Sequence, residues 1–269
     1  MSIENCGTVK IAILNLMPLK QATEADFLRI FADSPMPVEI DWLKIKNHVS
    51  KNTPQAYLDA VYKNWEDVRE KSYDGLIITG APVELLEYES VTYWKELQEI
   101  MNWAHEHVPS TLYICWAAQA ALYHFYNIPK YPLSQKMFGI FNHQVNDASA
   151  PLVSGFESGF YVPHSRHTEI RKEDVLKVSA LTLLTESPES GVHIVTARGG
   201  RDIFVTGHSE YAPDTLHTEY QRDLNKGLPI ERPVNYYIND DPERGIAFQW
   251  RDDAIRLYHN WLAHYCTPI

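Results

Sequence analysis

Cysteine is scarce in this 269-residue chain, and Cys6, Cys115 and Cys266 fall at no regular spacing, which excludes a disulfide framework. Each cysteine is therefore a question of thiol reactivity, as in a reducing compartment. Positive charge is scarce too: 24 Lys and Arg face 35 Asp and Glu, a net charge of −11. That balance argues against the basic stripe with which a protein displaces counterions from nucleic acid, and against adsorption on anionic lipid. No apolar run reaches the roughly 20 residues of a bilayer-spanning helix. The stretch from Met1 to Cys6 has neither a basic segment nor an apolar core of the signal-peptide kind, so a cytoplasmic location is expected. Internal repeats, low-complexity tracts and flexible linkers are also missing. What is there, 45% hydrophobic and 22% charged residues, suits a folded chain able to bury a large core. Residues 1–269 read as a single domain.

The first half alternates strand and helix patterns. Val9 to Leu16, Val38 to Ile45, Leu76 to Thr79 and Thr111 to Cys115 read as strands, most of them apolar on both faces, as in a parallel sheet. Helical spacing covers Thr23 to Phe31, with Thr23 a candidate N-cap, and Pro54 to Arg69, Ser90 to His107 and Trp116 to Tyr126. Around 130–190 the pattern weakens, which predicts shorter strands and loops inserted into the main sheet. Val192 to Ala197 and Ile203 to Thr206 bracket Arg198-Gly199-Gly200-Arg201 and predict a hairpin. Pro213 to Lys226, ended by Gly227, and Arg251 to His264 are the last helices. The fold class is α/β, a doubly wound and mostly parallel sheet. Such sheets gather their sites at the carboxyl ends of strands, here at Gly80, Cys115 and His208.

Cys115 stands where a strand turns directly into a helix. That elbow exposes a nucleophile at a helix N-terminus, where the thiolate is favoured. Taken alone, a cysteine here is more often a buried structural residue. His208, at the end of a strand and two residues before Glu210, supplies a base with an orienting carboxylate, and the three together suit an activated thiol. Backbone N–H groups near Gly80 and the amide of Trp116 are candidate oxyanion donors. His164 and His167 are three apart, but no His-Glu-x-x-His or Cys-x-x-Cys accompanies them, so no metal is expected. A cysteine hydrolase of the glutaminase kind shares this set of residues, and a sensing domain with an inert Cys115 is a further alternative.

Several segments bear a family resemblance: Leu14-Asn15-Leu16-Met17-Pro18, Asn52-Thr53-Pro54, Gly80-Ala81-Pro82, Cys115-Trp116-Ala117-Ala118-Gln119-Ala120, Pro163-His164-Ser165-Arg166, Gly207-His208-Ser209-Glu210-Tyr211, Asn239-Asp240-Asp241-Pro242 and Asn260-Trp261-Leu262. In these the chain resembles the homoserine O-acyltransferases of the MetA type, whose fold is similar to class I glutamine amidotransferases (flavodoxin-like). The resemblance implies Cys115 as the acyl-thioester nucleophile, His208 as proton acceptor and Glu210 as its partner. It also implies Lys136, Ser165 and Arg222 as substrate contacts, Lys20 as a residue near the thiol, and a homodimer. No cofactor is implied beyond acetyl-CoA as co-substrate. Glu84 matches the glutamate of acetyl-transferring members, where succinyl-transferring ones resemble each other in having glycine. A carboxylate there repels the free carboxylate of succinyl-CoA. Lys20-Gln21-Ala22-Thr23-Glu24 and Trp250-Arg251-Asp252-Asp253 depart from the family's usual wording. L-homoserine is the expected acceptor, with L-serine, one methylene shorter, as the alternative.

Overall fold

The computed structural model describes residues 7–46, 48, 50, 52–157 and 159–266; Cys6 lies outside them. One ten-stranded sheet organises the chain. Its parallel part runs, in spatial order, through β3 (Tyr62–Asn64), β2 (Val38–Lys44), β1 (Val9–Leu14), β4 (Gly75–Ile78), β5 (Ser110–Ile114) and β10 (Asp202–Val205). Beyond β10 the sheet continues antiparallel through β9 (Gly191–Ala197), β8 (Leu181–Ser187), β6 (Tyr131–Val145) and β7 (Phe160–Glu169).

The apolar runs become central strands because both faces are covered. Side chains alternate across a strand, so Ala12 and Leu14 enter one core while Ile11 and Ile13 enter the other. The first core is closed by α3 (Trp94–His107) and α4 (Trp116–Tyr126) through Leu97, Ile100, Met101, Ala117 and Ala121. The second is closed by α1 (Lys20–Ala32) and α7 (Arg251–Tyr265) through Phe27, Ile30, Leu257 and Trp261. The remaining helices are α2 (Gln55–Val61), α5 (Lys172–Leu176) and α6 (Thr215–Asn225). At the end of α6, Leu228 N–H bonds to Asp223 O at 3.0 Å, the paired-carbonyl ending expected of Gly227.

Three expectations need correction. Helix α1 starts at Lys20, and Thr23 sits inside it, its hydroxyl reaching back to Leu19 O at 3.4 Å instead of capping. The helix expected over Pro54 to Arg69 stops at Val61. Tyr62 then becomes a parallel edge strand against Trp42, because its hydroxyl is buried between Asn15 and Glu24 (2.9 and 2.5 Å), a pairing that outweighs helical periodicity. Around 130–190, β6 and β7 are long strands that extend the sheet, paired from His143↔Phe160 to Met137↔Arg166 and, after a register shift, at Pro132↔Thr168 and Tyr131↔Glu169.

Candidate active site

Three strand ends converge as the doubly wound topology predicts. Cys115 links β5 to α4 with φ 52° and ψ −114°, a conformation that non-glycine residues avoid unless the surroundings enforce it. Its backbone is pinned on both sides: its N–H donates to Val205 O at 2.7 Å, and its carbonyl accepts from Gln119 N–H at 3.2 Å. The first N–H groups of α4, that of Trp116 among them, have no carbonyl within the helix to pair with, and Cys115 stands at this positive helix end. The Trp116 indole turns the other way, into the aromatic core beside Tyr88 and Tyr93.

Gly80 follows β4, and a Cβ there would stand 3.2 Å from Cys115 Cβ and 3.6 Å from His208 Cε1. The absent side chain lets nucleophile and base meet. Gly207 does the same on the other side, where a Cβ would press on Val162 at 2.6 Å and His164 at 3.0 Å. His208 is fixed by its own N–H to Pro163 O (2.8 Å). Its Nδ1 meets Glu210 Oε1 at 2.7 Å, and its ring and the Cys115 side chain both border Gly80. Burial alone lowers the imidazole's proton affinity. The neighbouring Cys115 and Glu210 outweigh it and raise the His208 pKa well above the ordinary value. Tyr211 stacks on the His208 ring at 4.1 Å; burial, then Glu219, Glu210 and Cys115, push its phenol well up.

The turn carrying this histidine is tied to α1. Arg29 Nη2 donates to Glu210 O at 2.5 Å, and Asp26 Oδ1 accepts from Ala212 N–H at 2.9 Å. Burial, then the neighbouring Glu210, raises the Asp26 pKa to about 7. Between the ordinary carboxylate range and about 7, the unfolded chain therefore holds fewer protons than the folded one. Stability falls across that window as pH rises and stays at the lower level above it. Asp26→Asn keeps an oxygen for Ala212. The variant is expected to melt with the wild type near pH 4 and to be more stable by roughly 2–4 kcal/mol above about pH 8. Thermal melts that coincide at both pH values contradict this.

Lys136, Ser165 and Arg222 come together, and the residue that gathers them is one that sequence reasoning missed. Glu219 on α6 accepts from Lys136 Nζ at 2.9 Å, from Ser165 Oγ at 2.8 Å and from Arg222 Nη2 at 3.3 Å. Burial raises a carboxyl, yet Lys136, Ser165 and Arg222 hold Glu219 below the usual range. Its only sequence signal is the three-residue spacing to Arg222 on one helical face. Arg222 is also engaged by Asp223 at 2.6 Å. Glu84 is pinned, its Oε1 accepting from His167 N–H at 3.0 Å. Lys20 is buried at the carboxyl end of β1 and donates to Asn15 O; burial, opposed by Glu24, lowers its pKa to about 8. It lines a crevice with Asn15, Leu58 and Tyr93. His164 and His167 diverge, as residues an odd number apart on one strand must.

The fold is the α/β architecture of the class I glutamine amidotransferases, with Cys115, His208 and Glu210 gathered at its strand ends. A glutamine amidotransferase from Thermotoga maritima superposes with TM-score 0.63 over 96% of this chain and 98% of its own, at 13% identity. One from Methylobacillus flagellatus gives 0.57 over 97% and 96%, at 11% identity. Residues 3–268 match the homoserine O-succinyltransferase family, and the chain belongs to it as an acyltransferase. It is 60% identical to the homoserine O-acetyltransferase of Azobacteroides pseudotrichonymphae over 264 residues, 98% of this chain and 84% of the relative. To the homoserine O-acetyltransferase of Bacteroides thetaiotaomicron it is 58% identical over 257 residues, 96% and 84% of the two chains. No helix among the described residues is long and apolar enough to cross a membrane.

Proposed function

We propose that this enzyme acetylates the side-chain hydroxyl of L-homoserine from acetyl-CoA, through an acetyl-Cys115 intermediate, in methionine biosynthesis. The observation that carries the reading is the buried Cys115–His208–Glu210 set beside the cluster around Glu219. His208 accepts the Cys115 proton, and the thiolate attacks the acetyl carbonyl. The α4 N-terminal amides face the oxyanion that forms. Collapse breaks the carbon–sulfur bond to CoA, which leaves with the proton from His208 and vacates the site. Homoserine then gives its hydroxyl proton to His208, and its oxygen attacks the thioester. Cys115 departs as thiolate, yielding O-acetyl-L-homoserine. Glu210 holds the imidazole's orientation and balances its charge. An amino-acid acceptor carries an ammonium and a carboxylate, which Glu219 and the cations Lys136 and Arg222 complement.

The pinned Glu84 carboxylate is the basis for acetyl over succinyl. The relatives named for acetyl transfer agree with that reading, whereas the family's description names succinyl. CoA release is to be followed with acetyl-CoA and succinyl-CoA, each with homoserine and serine. Acetyl-CoA with homoserine is expected to be fastest, and Glu84→Gly to raise kcat/KM for succinyl-CoA by about tenfold or more. Succinyl-CoA used equally well by the wild type would overturn the donor reading. A preference for serine would overturn the acceptor, and CoA release independent of any acceptor would return the enzyme to the hydrolases.

A further inference from the structure

One nitrogen each of the buried His143, His164 and His193 lies within 4.8 Å of the others, and neither ring nitrogen of His193 has a hydrogen-bond partner among the described residues. Three histidines so placed suggest a metal. Arg166 donates to His164 Nδ1 at 3.3 Å, however, so a divalent ion there would be buried beside a guanidinium, with no anionic ligand among the three to offset either charge.

The turn that carries His208 presents a different problem. Glu210 orients the His208 ring, yet its own carboxylate has a single tie among the described residues, from Oε1 to His208 Nδ1 at 2.7 Å. Its Oε2 is buried without a partner. One hydrogen bond to a ring that itself needs orienting does not fix a side chain with several rotatable bonds. The aim of the carboxylate is therefore set by how its backbone is held.

That backbone is held at three successive residues by side chains from distant parts of the chain. Arg29 Nη2 donates to Glu210 O at 2.5 Å, the Trp250 indole N–H donates to Tyr211 O at 3.0 Å, and Ala212 N–H donates to Asp26 Oδ1 at 2.9 Å. None of these three groups has a backbone partner among the described residues. Asp26 and Arg29 stand three apart on one face of α1, and Trp250, 1% exposed, is the residue that opens α7. Phe248 joins the two sources: the Arg29 guanidinium stands 5.8 Å over its ring, and that ring meets Trp250 edge-on at 4.7 Å. The Arg29 bond is charge-assisted, and so stronger than the carbonyl's usual neutral partner would make.

We propose that Arg29 and Trp250 are positioning residues of the reaction, which hold the carbonyls of Glu210 and Tyr211 so that the Glu210 carboxylate is aimed at His208 Nδ1. Asp26 completes the clamp at the next residue. His208 moves a proton in both half-reactions, so loosening the clamp slows both. Substrate binding stays in place, because the clamp lies behind the turn and shares no residue with the cluster around Glu219. The inference rests on His208 and Glu210 acting as base and partner in the proposed reaction.

A double-mutant cycle tests it, following CoA release with homoserine and whichever acyl-CoA the wild type uses faster. Arg29→Met is expected to lower kcat about tenfold, with KM for both substrates within about twofold of wild type. Arg29→Lys, which can still donate to the carbonyl, recovers part of the loss. In a Glu210→Ala background there is no carboxylate to aim, and the same Arg29→Met change is expected to cost less than about twofold. Trp250→Phe keeps an aromatic ring and removes the N–H. It is expected to lower kcat about threefold in the wild type and to have no effect in Glu210→Ala, and it carries the cycle should Arg29→Met not fold. A tie that served stability alone would cost the same in both backgrounds, so an undiminished loss in Glu210→Ala overturns the proposal. Wild-type kcat in folded Arg29→Met and Trp250→Phe proteins overturns it too. Wild-type turnover by Glu210→Ala alone is the separate result that removes Glu210 from the reaction, and the clamp with it.

Discussion

Cys115→Ala is expected to abolish acyl transfer, lowering turnover by a factor on the order of 10⁴ or more, while the protein stays folded. The size follows from the absence of a substitute among the described residues. Cys266 is buried under α7 against Gly75 and Trp261, and its thiol is pushed well up by burial, so it offers no second nucleophile. His208 and Glu210 would remain in place and still bind substrates, but no thioester forms. The fold tolerates the change because Cys115 contributes little volume and its backbone is held by Val205 and Gln119. Cys115→Ser is the stricter control, since it keeps a hydroxyl at the elbow. An alkoxide is far harder to generate than a thiolate beside the same imidazole, so this variant is expected to be nearly as inactive. CoA release by either variant at even a tenth of the wild-type rate would remove the thiol from the mechanism. A circular dichroism spectrum and melting curve like the wild type's are the accompanying check.

Glu219→Ala is expected to act on the other half of the reaction. Its carboxylate organises Lys136, Ser165 and Arg222, and in the proposed reaction it takes the acceptor's ammonium. Removing it costs a charge-assisted bond to substrate and also leaves Lys136 beside Asp223 alone, at 3.7 Å. A loss of about 3 kcal/mol corresponds to a KM for the amino acid raised by roughly two orders of magnitude. Formation of the acyl-enzyme from acetyl-CoA stays within a few-fold of wild type, because the Cys115 elbow does not depend on α6. Rapid-quench measurement of the two half-reactions separates these effects. Equal losses in both halves would mean that Glu219 supports the thiol site and not the acceptor.

What the sequence made legible, and what it hid, follows from how each residue meets its neighbours. Runs such as Val9 to Leu14 and Leu76 to Ile78 announce themselves because a parallel strand covered on both faces has no polar alternation to obscure it. Cys115, His208 and Glu210 were legible because each lies at or just beyond a strand end, a place that topology selects for function. β6 was not, because Ser134, Gln135 and Lys136 interrupt any apolar period and its partner β7 lies across a connection with no periodic signal. Tyr62 left a helical pattern to satisfy a buried hydroxyl, a tertiary demand that local spacing does not record. Glu219 was hidden for a similar reason, since Lys136, Ser165 and Arg222 reach it only when β6, β7 and α6 are brought together.

The central claim is that Cys115 carries the acyl group between donor and acceptor. Its most direct measurement is to mix the enzyme with acetyl-CoA in the absence of any acceptor, quench in acid, and map the product by peptide mass spectrometry. One acetyl group on Cys115, released on addition of homoserine with formation of O-acetylhomoserine, is the result predicted. An unmodified Cys115 under conditions where turnover with both substrates proceeds would contradict it, and would mean direct transfer from CoA to the acceptor.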